Sequence, residues 1–334
     1  MKITISEVLK GCTPGRMQSA GYMQVIPLIS DMVDDRFGPF GKLLTSTSHY
    51  GTLCFENRSD SPTIFPLGAG VLTKQHAQNH ASGRAKLMRA NSEDSIDDAA
   101  CIQESQGGTI GSGEHTMTIL PYSIRNDAFE IKDQKEFGKL WPAIQEFNRS
   151  VGVRTMAHLE YYLEEFEKTL DEFIGQFEIV PNQVGAIIIL NGQVAGIERA
   201  PNYEFWKELW KPLIRECYGS ASLAFNKTGV KVSPPLGRMP VNDHKVKDLD
   251  SLEEQLNRAD DYEWATVKDL IANFITQPFK VKQEEKDSTS GLCVETLTDG
   301  QFTGQIVRDS SFIMYASLMP DKNARFNTAA NFSI

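Results

Sequence analysis

The chain has 334 residues, enough to bury a sizeable core in one large domain or two, and its 40% hydrophobic and 23% charged content is that of an ordinary globular protein. A formal net charge of −10 argues against a nucleic-acid backbone as the main partner, because neutralising phosphates takes a surplus of Lys and Arg. No apolar run approaches a membrane-spanning length and Met1-Lys2 leads into a polar segment, so a cytoplasmic protein with no membrane partner is expected. The cysteines (Cys12, Cys54, Cys101, Cys217, Cys293) are odd in number and too scattered for a zinc or redox pair, which leaves free, buried thiols and no expected metal or cofactor.

The first third reads as β. "YMQVIPLIS", "GTLCFENRSDSPTIFPLGAGVL" and "AACIQESQGG" carry β-branched and aromatic residues punctuated by turn formers. The basic "GRAKLMR" is followed at once by the acidic "SEDSIDD", so the two should offset each other on one surface. In the middle, Met156, Leu159, Leu163, Phe166, Leu170, Phe173 and Phe177 alternate by threes and fours, which predicts an apolar helical stripe. Phe137, Leu140, Trp141, Ile144 and Phe147 share that spacing, so a helical hairpin is expected. The same repeat would suit a coiled-coil seam, which leaves a homo-oligomer through 156–177 open beside intrachain packing.

"AIIIL", Asn191-Gly192 and the return run to Arg199 predict a β-hairpin at the centre of a sheet, because a uniformly apolar arm needs cover on both faces. An aromatic helix follows in "YEFWKELWKPLIREC". Residues 226–262 lack pattern and read as an irregular insertion or arm, a second surface for homo-oligomer contact. "TVKDLIANFI" predicts a short helix, and "GLCVETL", "QFTGQIV" and "SFIMYASLM" predict closing strands. Tight turns between strands imply antiparallel pairing, hence a single α+β domain of antiparallel sheets, sandwich or barrel-like, with a central helical hairpin and an aromatic packing helix.

"FENRSDSPTIFPLGAGVL", "AQNH", "CIQE" and above all "VPNQVGAIIILNGQVAGIERAPNYEFWKELWKPLIREC" resemble, in this order, the domain family named for its association with ADP-ribosylglycohydrolases and rhodanese-like phosphatases. The resemblance spans about residues 20–320 and is most specific over 180–217. It implies a link to ADP-ribose or NAD systems, and to prokaryotic or phage conflict, drawn from gene neighbours. Members carry Gln-x-Arg where this chain has Gln78-Asn79-His80, and Cys-x-Glu before Gly-Arg-Trp where it has Cys101-Ile102-Gln103-Glu104. The arginines are missing here, which implies that this member's version is altered or degenerate if those residues form the family's site.

Gln78, His80, Gln103 and Glu104 would form a polar cluster if their strands lie side by side. Histidine beside a carboxylate suits proton transfer, and glutamines can read an amide or a ribose. Glu198 is expected near the same site, with His80 and Glu104 as the other catalytic candidates and Gln78, Gln103 and Arg199 as ligand-binding ones; alternatively Glu198 pairs with Arg199 or Arg215. His76 and His80 have metal-ligand spacing only on a helix, and their surroundings read as loop. Glu114 and His115 sit on a glycine-flanked loop open to a ligand. Two functions follow: a protein that binds or processes a nucleotide-type small molecule of the ADP-ribose or NAD kind, or a non-enzymatic assembly protein.

Overall fold

Asn191 and Gly192 take φ of 48° and 83°, the two left-handed conformations that a tight hairpin turn demands. The arms they join, Gln183–Leu190 and Gln193–Arg199, pair antiparallel with one irregularity after Ile188. They lie in a nine-stranded antiparallel sheet that runs Thr13–Pro14, Met23–Ile29, Gln183–Leu190, Gln193–Arg199, Ile313–Pro320, Phe302–Arg308, Cys293–Thr298 and Lys280–Lys286, with Gln18–Ala20 also on Met23–Ile29. The computed structural model describes residues 2–73, 78–105, 108, 115–239, 243–274 and 278–322.

Every residue of Gln183–Leu190 is buried because each face of the strand meets a different core. Ala186, Ile188 and Leu190 pack with Phe205, Trp206, Leu209 and Tyr218. Ile187 and Ile189 face the other way, onto Ile3, Ile5, Val8, Val267 and Phe279. The outer strand Lys280–Lys286 is charged and largely exposed, which blunts an edge that would otherwise invite pairing. The sheet thus has two free ends, and no barrel closes among the described residues.

The first third forms small antiparallel sheets, as its punctuation predicts. Ala69–Thr73 pairs with His115–Ile119 on one side and His80–Ala81 on the other, and Ala100–Cys101 pairs with His80–Ala81. The basic and acidic runs do offset each other: Arg84 pairs with Asp98 and Asp133, and Lys86 with Asp94 at 2.9 Å. Of the cysteines, Cys101 and Cys217 are buried and the others half-buried, all as free thiols.

Two expectations need correction. The 156–177 stripe is not one helix: Glu160–Glu165 and Glu167–Ile174 are broken at Phe166 (φ −109°, ψ 16°), and Met156 is exposed. The helix starts only at Glu160 because residues 157–159 are drawn into backbone pairing beside 102–104 through Leu159 N–H to the Ile102 carbonyl (3.0 Å) and Glu104 N–H to the Ala157 carbonyl (2.9 Å). Leu159, Phe166 and Leu170 still pack with Ile144 and Phe147 of the helix Trp141–Val151, the expected hairpin, while Phe177 joins the core beneath the large sheet.

The second correction is that 226–262 is only partly irregular. Tyr203–Trp210, begun by an Asn202 cap on Phe205 N–H (2.9 Å), continues as a π-helix over Lys211–Tyr218 and as α-helix to Lys227. The widened turn falls at Pro212, which has no N–H for an ordinary helical bond. Downstream, Leu249–Phe274 is a single 26-residue helix that takes in residues 249–262 of the supposed arm and the expected short helix as far as Phe274. Its first half is charged and mostly exposed, which hid its period; only its second half, at Val267, reaches the core. The stretch between is pinned to the sheet by Gln24, which brackets Leu236 N–H (2.8 Å) and carbonyl (2.9 Å), and by Asn191 Oδ1, which accepts from Ser233 N–H (2.7 Å).

Candidate functional site

Cys101 lies opposite His80 in the pairing of Ala100–Cys101 with His80–Ala81, so the residues preceding one strand and following the other share an end. There the Asn79 N–H donates to Gln103 Oε1 (3.3 Å). The Asn79 carboxamide donates to Glu160 Oε2 (2.7 Å), and Gln103 Nε2 donates to Glu160 Oε1. Glu160 reaches both because the 157–159 pairing delivers the start of its helix to that strand end. The carboxyl is half-buried, and burial pushes its pKa up against the opposing effects of the Asn79 hydrogen bond and His158. Two buried polar atoms on neighbouring residues, Gln78 Oε1 and His158 Nε2, make no hydrogen bond among the described residues. The His158 ring stacks on Tyr161, with centroids 4.7 Å apart.

The structure therefore brings Gln78, His80, Gln103 and Glu104 to one strand end, but with different jobs. His80 is fully buried; its Nδ1 donates to the Gln78 carbonyl (2.9 Å) and its Nε2 accepts from Gly51 N–H (3.2 Å). Burial lowers its pKa, and both ring nitrogens are committed to backbone, so it is a neutral tie between a turn and a strand. The small polar residues around it in sequence predict a dispensable loop position; the strand pairing makes it core. Glu104 accepts from Ala157 N–H (3.1 Å) and Gln145 Nε2 (3.0 Å), and so clamps the 157–159 segment. His115 opens a strand and is half-buried, while His76 and Glu114 lie outside the described residues.

Glu198 and Arg199 are not part of this cluster. Successive strand residues point to opposite faces, so the two do not pair with each other. Glu198 is 1% exposed; its Oε1 accepts from Arg125 Nη1 (2.7 Å) and Tyr218 Oη (2.6 Å). Arg125 also donates to the Leu67 carbonyl (3.0 Å) and Ser317 Oγ (2.6 Å). Burial works against the Arg125 charge, but Glu198, with Cys217 and Tyr218 beside it, more than offsets that and holds the guanidinium pKa well above its ordinary value. The triad is cradled by glycines: a Cβ at Gly196 would lie 1.8 Å from Tyr218 Oη, and one at Gly68, whose φ is +75°, 2.5 Å from Arg125 Cγ. Arg199, equally buried, donates to the Val8 (2.6 Å) and Lys10 (2.9 Å) carbonyls and sits over the Phe312 ring at 4.5 Å. It fastens the N-terminal segment to the sheet. Arg215 pairs instead with Asp171 (2.7 Å) and Glu216 (3.3 Å).

Sequence reasoning missed Glu160 and His158. Nothing in their spacing marks them, since what makes them special is the chain segment they meet. It also missed Arg125, an arginine inside a short helix with no apparent partner.

An α+β protein with an open antiparallel sheet and a polar cluster at the meeting of two strand ends is the class that fold and site define. The family model of the ARG and Rhodanese-Phosphatase-superfamily-associated Protein domain matches residues 11–283, most of the chain, and the protein belongs to that family. No curated protein and no solved structure matches the chain. The match ends within the outer strand Lys280–Lys286, so three further strands of the large sheet lie beyond it.

Proposed function

We propose that the protein binds, and where chemistry follows processes, a nucleotide-type ligand of the ADP-ribose or NAD kind at the strand end formed by Asn79, Gln103, His158 and Glu160. The observation that carries this reading is unused hydrogen-bonding capacity: a half-buried carboxylate held by two carboxamides, beside two buried polar atoms that lack partners among the described residues. A carboxylate oxygen has lone pairs beyond the one each amide takes, and can accept the two hydroxyls of a ribose diol. The Gln78 side-chain oxygen and the His158 ring are suited to an amide or a further hydroxyl. The choice of ligand class is supported by the family's name, which associates it with ADP-ribosylglycohydrolases. The test is a thermal-shift series with NAD, ADP-ribose, cyclic ADP-ribose and ATP, since a ligand at a hundred times its Kd adds about 2.7 kcal/mol. Stabilisation by one of the first three that Glu160→Gln removes supports the reading; no shift with any of them removes it.

A non-enzymatic assembly role is the second reading. Leu249, Leu256, Tyr262 and Trp264 of the long helix are exposed, Leu249 at 81%, and single-chain packing leaves them unused. Sedimentation across a hundredfold concentration range tests it: a mass that stays monomeric throughout rules out assembly of copies.

A further inference from the structure

The hairpin of Lys280–Lys286 and Cys293–Thr298 turns at residues 287–292, and this tip faces the turn between the strands Lys86–Met88 and Ser92–Ile96. Between them lies a cleft of about 540 Å³, in the size range of small-molecule sites. Its apolar floor is Pro62, Leu87 and Leu292. Arg89 on one wall is exposed, and its guanidinium has no hydrogen bond or ion pair among the described residues. Thr289 on the other uses its N–H, to Asp287 Oδ1 (3.1 Å), but not its hydroxyl. Asn91 donates to Asp60 Oδ1 (3.0 Å) and keeps its own carbonyl oxygen free.

The cleft holds one acid, and that acid is engaged. Asp287 accepts from Ser290 Oγ (2.5 Å), Ser290 N–H (3.2 Å) and Thr289 N–H, which closes its own turn. Ser290 chiefly, and Arg89 across the cleft to a lesser degree, hold its carboxyl below the ordinary range. A single forked cation with hydroxyl and amide groups over an aliphatic floor matches one oxyanion on a hydroxylated skeleton. Asp287 sets the upper limit, because a carboxylate in the wall repels a ligand with several negative charges. The residues at the hairpin tip lie past residue 283, where the family match ends, so this feature is built partly from sequence outside the matched segment.

We propose that this cleft binds a small hydroxylated molecule bearing one oxyanion group, with Arg89 on the oxyanion, Thr289 and Asn91 on the hydroxyls, and Pro62, Leu87 and Leu292 beneath the carbon skeleton. It shares no residue with the Asn79–Gln103–Glu160 cluster, so either assignment can fail alone. The test is calorimetric titration of the full chain with ribose 5-phosphate, adenosine monophosphate, gluconate, ribose and ATP. Binding of a phosphate monoester or of gluconate, weakened about tenfold or more by Arg89→Ala, is the expected result, because that variant removes a charge-assisted fork. Which of the two binds distinguishes phosphate from carboxylate as the oxyanion. Arg89 is exposed, so the variant should fold; an unchanged melting curve checks that. The proposal is overturned by ribose binding as tightly as ribose 5-phosphate, by ATP binding more tightly than adenosine monophosphate, by wild-type affinity in Arg89→Ala, or by no heat from any single-anion ligand at millimolar concentration.

Discussion

Glu160 and Glu198 are two carboxylates in hydrogen-bonded clusters of similar size, and their surroundings differ in charge and burial. Glu198, 1% exposed, meets a full guanidinium and a phenol at its Oε1 inside a glycine-lined cradle, while its Oε2 has no hydrogen-bond partner among the described residues. Glu160 meets two neutral carboxamides at a half-buried strand end, with no ion pair among the described residues. The first arrangement fixes the helix carrying Arg125 and the π-helix to the large sheet. The second leaves a half-buried carboxyl whose pKa is raised by burial, the ground of the binding role proposed for it. The lesson is that residue type says little about function here; counter-charge and access decide it.

The comparison breaks most visibly if Arg125 is removed. Arg125→Met strands the Glu198 charge in the core and should cost about 3–5 kcal/mol in urea unfolding, whereas Arg125→Met with Glu198→Leu should recover much of the loss. A single variant that costs less than 1 kcal/mol would show that the pair is not a structural lock. Next in size, Phe166→Ala should cost about 3 kcal/mol, because Phe166 is 9% exposed at the break between two helices and its loss opens a cavity. If the loss varies with protein concentration, the stripe seals a contact between copies as well.

His80→Ala should cost about 2 kcal/mol, because it leaves the Gly51 N–H and the Gln78 carbonyl without their ring partner. An unchanged denaturant midpoint would return His80 to the status of a dispensable loop residue. Its pH effect has a definite sign. The folded pKa is depressed below the ordinary 6.5, so the unfolded chain takes up the proton first and stability drops as pH falls below that value.

The smallest expected effect sharpens the comparison at Glu160. Its folded pKa is raised above 4.5, so just above that pH the folded state keeps a proton that the unfolded chain has lost. Stability from this group is therefore lost as pH rises from about 4.5 through the raised value. Glu160→Gln cannot titrate and should reduce that slope in a pH series of thermal melts. The slope should not vanish, because burial also raises Glu216. A slope identical to wild type would mean that Glu160 is no more perturbed than a surface carboxylate.

Much of the fold was determined locally. The Asn191-Gly192 turn needs positive φ at both positions, and a five-residue apolar arm can sit only where both faces are covered, so hairpin and central position follow from "AIIILNG" alone. The aromatic helix is equally legible, since Phe205, Trp206, Leu209, Trp210 and Leu213 repeat at helical spacing and all are buried. What sequence could not decide was which side chains meet across long separations. Only strand pairing places Cys101 beside His80 and so makes that histidine core, and only the 157–159 bridge to 102–104 turns Glu160 onto Asn79 and Gln103. Glu198 and Arg199 are adjacent in sequence, yet the alternation of a strand sends one to Arg125 and the other to the Val8 and Lys10 carbonyls. Periodicity carries the local contacts of a few residues; a hydrogen bond between residues 79 and 160 leaves no such trace, because its partners are fixed by topology and not by spacing.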